Sequence, residues 1–336
     1  MIAELKNYIN KLIDQEIIPG AEIAVITPNQ VKQAVYGDLQ VYPERKPHPK
    51  RGLYDVASLT KVIATTPVIL QLIEKKQLKL TDRVSKYLPQ WRDSRLTVRH
   101  LLTHTSDVVG YIPNRNQLAA TELKQALLGL SSGNQLGKQV RYQDINFLML
   151  GWIAEQITGE NIHQLATDRV IRPLQLPDAT FEPQFSTLTV VPTAVDEKRG
   201  LIEGVVHDPK TFILGEHSGA AGLFASLEDL IKVSQWLLNW NNKEMVLSNQ
   251  MKLQLFRDQT PQHTNDRSFG WDLRHHEDGH EYLVHTGFTG PVLILDRHRQ
   301  VALAFLTNRV NMHETTAIYQ QKREKLIQIF ANKKDA

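Results

Sequence analysis

Ser58-Leu59-Thr60-Lys61-Val62-Ile63-Ala64-Thr65-Thr66-Pro67-Val68-Ile69-Leu70-Gln71-Leu72-Ile73 is the stretch around which the rest of the chain can be ordered. It is apolar on most sides after Lys61, which predicts a helix from Lys61 to Gln77 sunk in a core and kinked at Pro67, where one backbone donor is missing. Its opening residues place a serine hydroxyl and a lysine amine three positions apart, on one face and within reach of each other. Serine is a poor nucleophile until its proton is removed, and a lysine with an ordinary pKa of ~10.4 keeps only about one amine in a few thousand neutral at pH 7. Burial and the positive end of a helix both disfavour the ammonium, and full burial alone can lower a lysine pKa by roughly 3 to 5. The reading is therefore an uncharged Lys61 acting on Ser58. The plain alternative is a capping serine beside a surface lysine, and about one Ser-x-x-Lys arises by chance in such a chain.

Working outward, residues 1 to 20 carry Leu5, Ile9, Leu12 and Ile13 at helical spacing before Pro19-Gly20. Ala21 to Thr27 and Val31 to Tyr36 are β-rich runs joined by Pro28-Asn29-Gln30, a hairpin pattern. Pro43 to Gly52 is basic and proline-rich, an exposed loop leading to Leu53 to Ala57. Helical patterns follow at Leu123 to Leu130, Asn146 to Thr158 and Leu227 to Trp240. Glu281 to Leu283, Pro291 to Leu295 and Val301 to Thr307 read as strands, and Glu314 to Phe330 as a closing helix. The expected architecture is α/β (α+β): an antiparallel sheet flanked by helices, built from residues 1–75 and 205–336, with a mainly helical insertion at 76–204.

Composition narrows the function. The 336 residues hold 39 Lys plus Arg and 36 Asp plus Glu, a net charge of +3, too near neutral for a protein devoted to nucleic acid. With 41% hydrophobic and 22% charged residues, the chain has ordinary globular usage. Cysteine is absent, which excludes disulfides, cysteine-ligated metals and thiol nucleophiles. No apolar run reaches the roughly 18 residues of a membrane span, and the opening residues, with Glu4 and Asp14, lack the apolar stretch of a signal peptide. A soluble cytoplasmic protein is the expectation.

Two further motifs carry chemistry. Tyr142-Gln143-Asp144 precedes a helix and follows the basic Lys138 to Arg141; a phenol beside an ammonium is a candidate proton shuttle, because opposite charge favours the phenolate. His285-Thr286-Gly287 ends a β-rich run before Phe288-Thr289-Gly290. A strand edge with a donor side chain, a hydroxyl and close backbone can hold a carboxylate or carbonyl. Taken singly, each has an ordinary alternative, a tyrosine before a helix or a hairpin glycine.

Together and in this order, these motifs resemble the penicillin-recognising serine hydrolases: class C β-lactamases, D-alanyl-D-alanine carboxypeptidases, D-aminopeptidases and their esterase relatives. Leu96 to Ser106, Val206-His207-Asp208, Gly219 to Phe224 and Leu306 to Arg309 also look like that family, so the resemblance spans nearly the whole chain. It implies a β-lactamase-like fold with the site at the junction of sheet and helical parts. It also implies Ser58 as the acylated nucleophile, Lys61 and Tyr142 as acid and base, the amides of Ser58 and Phe288 as oxyanion hole, and Asp144, His285, Thr286 and Gly287 along the substrate. No metal and no cofactor is implied. The chain departs from β-lactamases where Tyr-x-Asn and Lys-Thr-Gly become Tyr142-Gln143-Asp144 and His285-Thr286-Gly287. Histidine at its reference pKa is charged only about a quarter of the time at pH 7, so β-lactam carboxylates should bind less well. The expected activity is acyl-enzyme hydrolysis of small-molecule or peptide substrates, esters or D-amino-acid amides. The alternatives are a class C-type β-lactamase and a non-catalytic penicillin-binding or sensor protein. The loops around Tyr111, Phe269 to Trp271 and Phe288 shape the pocket, and the substrate and oligomeric state stay open.

Competing signals are weaker. Gly129-Leu130-Ser131-Ser132-Gly133 matches Gly-x-Ser-x-Gly but follows a helical rather than a strand pattern, and Ser132 to Gln139 lacks the first glycine and final hydroxyl of a phosphate loop. His100 and His104 have zinc-pair spacing without the adjoining glutamate. His275, His276 and His280 read as a solvated polar turn, and Trp236 and Trp240 as core or interface.

Overall fold

Strand β1 (Gly20–Ile26) shows why the sheet forms where it does. All seven residues are buried; Ile23 and Val25 enter one core while Ala24 and Ile26 enter the other. A strand covered on both faces reads as a continuous apolar run. The computed structural model describes residues 2–185, 188–240, 246–312 and 316–332. After β1 come β2 (Val31–Gln40), β3 (Lys46–Pro47), β4 (Gly52–Asp55), β5 (Asp272–His275), β6 (Glu281–Thr286), β7 (Val292–Asp296) and β8 (Val301–Leu306). Seven of them make one sheet in the order β5-β6-β7-β8-β1-β2-β3, with every pairing antiparallel. The first and last thirds of the chain meet at its centre, where Ile23 pairs with Phe305.

One face of the sheet is covered by the N-terminal helix Ile2–Asp14 and the C-terminal helix Thr316–Ala331 through Leu5, Ile9, Leu326 and Phe330. The other face packs on the helices that carry the site, through Val62, Leu70, Phe147, Leu150 and Trp236. Asp144–Thr158 is buried continuously from Ile145 to Ala154, as expected of a helix apolar on all sides, and Gly159 stops it at φ 79°. Ser226 and Asp229 form the capping box of Leu227–Leu237.

The architecture is the β-lactamase-like one expected, with corrections in detail. The single kinked helix is a π-helical turn, Lys61–Thr65, followed by an α-helix, Thr66–Glu74. The Thr66 N–H donates to Lys61 O, five residues back, and Pro67 then falls in the first turn of the α-helix, where its missing donor costs nothing. Strand β5 ends at His275, read as part of a polar turn, and takes in Asp272 to Arg274, where no strand was expected: Asp272, Arg274 and His275 pair across to β6, and partners rather than side-chain polarity decide the strand. The loop 43–52 contains β3, and Glu314, the expected start of the last helix, lies outside the described residues. Among the described residues, no helix is long and apolar enough to cross a membrane.

Candidate active site

Strand β4 ends in a tight turn that presents Ser58. The Asp55 carboxylate accepts hydrogen bonds from Ala57 N at 2.8 Å and from His207 N at 2.8 Å; Ala57 is held in the left-handed region at φ 46°, a conformation costly for a residue with a Cβ and kept by its surroundings. Thr60 Oγ1 donates to Ala57 O at 2.6 Å and accepts from Leu223 N at 3.1 Å, locking the turn from below.

Lys61 Nζ donates to Ser58 Oγ at 2.9 Å, to Asp144 Oδ1 at 2.9 Å and to Ala220 O at 2.7 Å, and its side chain is fully buried. Three acceptors for three protons, one of them a carboxylate, is the environment of an ammonium. This corrects the expected charge state. Burial does push Lys61 down, but the Asp144 carboxylate, aided by Tyr142, more than reverses it and holds the ammonium well above the ordinary lysine range. Reasoning from desolvation and the helix dipole alone lacked the carboxylate that folding brings to Lys61. For Asp144 itself, burial opposes ionisation, but Lys61 and Lys210, the latter at 3.2 Å, pull its carboxyl well below the usual range. Lys210 also pairs with Asp208 at 2.9 Å.

Tyr142 precedes the buried helix, with Gln143 fixing its backbone by paired bonds to Val108 N at 3.1 Å and Val108 O at 2.8 Å. Lys61 Nζ lies 5.3 Å from the centroid of the Tyr142 ring. Its ring rests on that of His104, 4.5 Å away. His104 is buried, bonded through Nδ1 to Asn146 Nδ2 at 2.9 Å, and burial, with Arg267 and Lys61 nearby, keeps it neutral. With 45% of Tyr142 exposed, it divides two cavities, one of about 430 Å³ that includes Ser58, the other of about 1080 Å³ toward Tyr111 and Phe212.

Opposite Ser58, β6 ends at Thr286 and turns through Gly287-Phe288-Thr289-Gly290. A Cβ on Gly287 would stand 2.8 Å from Val56 O, so glycine lets this turn lie against the nucleophile turn. Thr289 Oγ1 donates to Asp55 O at 2.8 Å and ties the two together. His285 and Thr286 line the smaller cavity with Phe288. His285 is buried, neither ring nitrogen has a partner among the described residues, and burial, then Arg267 and Lys61, lowers it well below the ordinary histidine range. It is neutral more fully than its reference value implied. Positive charge comes instead from Arg267, Arg274, Arg309 and Arg323, which line the same cavity. These were missed because they arrive from three separate segments; the only signal was Arg309 at the end of a family-like stretch.

The rival motifs have other uses. Gly129 to Gly133 follows helix Ala120–Leu128, and Ser131–Ser132 pairs with Val108–Val109, so there is no strand-to-helix elbow. His100 Nδ1 accepts from Thr97 N at 3.1 Å to cap a short helix. His276 is no solvated residue: it is buried against Asp296 at 2.8 Å. Trp236 is in the core, and Trp240 donates to Gln300 Oε1 at 2.8 Å.

A serine set against a fully buried lysine with a tyrosine ring beside them, on a β-lactamase-like fold, points to a class of serine hydrolases, and the chain belongs to the beta-lactamase family, whose model matches residues 5–325. It is 26% identical over 356 residues to an N-acetylmuramyl-L-alanine amidase of Bacillus subtilis (strain 168), covering 90% of this chain and 80% of that one. It is also 26% identical over 367 residues to a protein of Escherichia coli (strain K12) provisionally named D-alanyl-D-alanine carboxypeptidase, covering 91% and 82%. Among solved structures, EstCE1, a hydrolase with promiscuous acyltransferase activity, superposes with a TM-score of 0.75 at 19% identity over 97% of this chain and 98% of that one. The octameric penicillin-binding protein homologue from Pyrococcus abyssi gives 0.74 at 18% identity, covering 97% and 77%.

Proposed function

We propose that the protein cleaves esters or amino-acid amides through an acyl-enzyme on Ser58, with the amide-cleaving names of its relatives and the cationic cavity favouring an amino-acid or peptide leaving group over a β-lactam. The observation that carries this reading is the 2.9 Å contact between Ser58 Oγ and a fully buried Lys61 Nζ. Ser58 Oγ attacks the carbonyl carbon. Lys61, already protonated, cannot take the hydroxyl proton, so the phenol oxygen of Tyr142, in its ionised form beside that ammonium, is the acceptor that remains. The developing oxyanion meets the amides of Ser58 and Phe288, each such donor typically contributing about 10² to 10³ in rate. Collapse breaks the C–O or C–N bond, and the proton passes from Tyr142 to the leaving oxygen or nitrogen. Water then attacks the Ser58 ester, giving up its proton along the same path, and acid product and free serine result. Asp144 serves by fixing the Lys61 charge, while Thr286 and Gly287 border the substrate.

The test is labelling and turnover. A fluorescent penicillin or p-nitrophenyl ester should acylate the protein, Ser58→Ala should abolish both label and turnover with the fold intact by circular dichroism, and Ser131→Ala should change neither. Label on the Ser58 variant, or loss of activity in the Ser131 variant, refutes the assignment. Stoichiometric label that never turns over would instead identify a sensor.

A further inference from the structure

The cavity beside Ser58 holds more positive charge than the protein neutralises. Asp272 lies 2.7 Å from Arg274 and 3.6 Å from Arg267, and Glu324 takes both terminal nitrogens of Arg274 at 2.6 and 3.1 Å. Among the described residues, two carboxylates therefore face four guanidinium groups. The surplus sits on the Phe288 side. Among the described residues, Arg309 bonds only neutral oxygens, Phe288 O at 2.9 Å and Thr316 Oγ1 at 3.2 Å, and Arg323 makes no ion pair. Among the described residues, Arg267 Nε is buried without a partner, as are both nitrogens of His285. Tyr319 lies within cation–π reach of Arg309 and Arg323, 5.2 and 5.9 Å from its centroid. One terminal carboxylate would neutralise one of the surplus charges and leave the other unmatched, whereas two carboxylates match both.

We infer that this cavity receives a leaving group bearing two carboxylates, so that the enzyme selects acyl peptides ending in an acidic residue. The inference rests on the acyl-enzyme reading above and specifies its substrate. Its volume of about 430 Å³ is in the range of pockets that enclose small ligands.

The experiment compares acyl dipeptides that share one acyl part and end in Glu or in Gln, in both chiralities, beside a neutral p-nitrophenyl ester. Gln keeps the shape of Glu and removes one charge. In one chirality kcat/KM should be about tenfold or more higher for Glu, mostly through KM, the scale of one added charge-assisted contact. Salt should erode the preference, Arg323→Met should bring the Glu/Gln ratio close to one, and Arg323→Lys should restore part of it. If neither dipeptide is cleaved, N-acetylglutamate must still inhibit ester turnover about tenfold better than N-acetylglutamine. A ratio of one or below with the ester still hydrolysed overturns this inference and leaves the hydrolase standing, as does a ratio untouched by Arg323→Met. Absence of both ester turnover and Ser58 labelling overturns the two together.

Discussion

Replacing Asp144 with Asn tests the charge state on which the mechanism turns. The carboxylate lies 2.9 Å from Lys61 Nζ; with an effective dielectric of about 20, the attraction across such a contact is about 6 kcal/mol. Asparagine still accepts a hydrogen bond, worth about 1 kcal/mol, and spares the several kcal/mol of desolvating a carboxylate. Asp144 also retains 30% side-chain exposure, which places the net loss near the lower end of the roughly 3 to 5 kcal/mol seen when a buried pair loses one partner, about 3 kcal/mol. Urea denaturation near neutral pH reads that loss. The kinetic consequence is more diagnostic. In the native protein the raised Lys61 pKa makes its stabilising contribution complete below the unfolded lysine pKa, and that contribution is lost only as pH rises through the still higher folded value. In the Asn variant desolvation goes unopposed by the carboxylate, Lys61 loses its proton at lower pH, and a new ionisation should enter the pH–kcat/KM profile between about pH 7 and 10. A variant with native stability and an unchanged profile would show that Asp144 does not set the charge on Lys61.

Lys210→Met removes the second cation on Asp144, and kcat should fall about three- to tenfold with the pH profile displaced, while Lys210→Arg restores most of it; an unaltered profile would show that Lys210 does not help set the charge on Asp144. Thr289→Val deletes the bond to Asp55 O, with an expected cost of about 1 to 3 kcal/mol and a kcat loss exceeding any change in KM, because the Phe288 amide loses its register with Ser58; a pure KM effect would contradict this. Glu22 is buried and its pKa is pushed up by desolvation to about 7 from 4.5. Its folded form therefore binds more protons than its unfolded form between those values, and stability falls as pH rises through that window, by about 3 kcal/mol. Glu22→Gln should flatten this part of the urea stability curve measured at pH 5 and 7.5, and an undiminished slope would reject it.

Local signals made the core of this site readable. Ser58 and Lys61 are three residues apart, and the apolar run after them declared the burial that folding delivers. The strands around Ile23 and Val301 to Leu306 were legible because burial on both faces leaves an unbroken apolar run, whereas β5 was not, since Asp272, Arg274 and His275 gain their strand geometry from β6. The Lys61 charge depends on Asp144, 83 residues away, and the arginine cluster gathers Arg267 and Arg274 with Arg309 and Arg323 from a β-hairpin region, a turn and a terminal helix. No spacing rule registers contacts made only by the tertiary fold. The π-turn at Lys61 was misread as a kink because a proline identifies a missing donor but not how the preceding carbonyls find partners.

The Asp55 carboxylate joins the backbone of Ala57 to that of His207, 150 positions further along the chain. The segment that borders the larger cavity is thereby fastened to the peptide immediately before the nucleophile. Lengthening or shortening that loop during evolution or engineering would tug on the serine itself, so variation in what the cleft accepts is channelled toward side-chain replacement at fixed loop length.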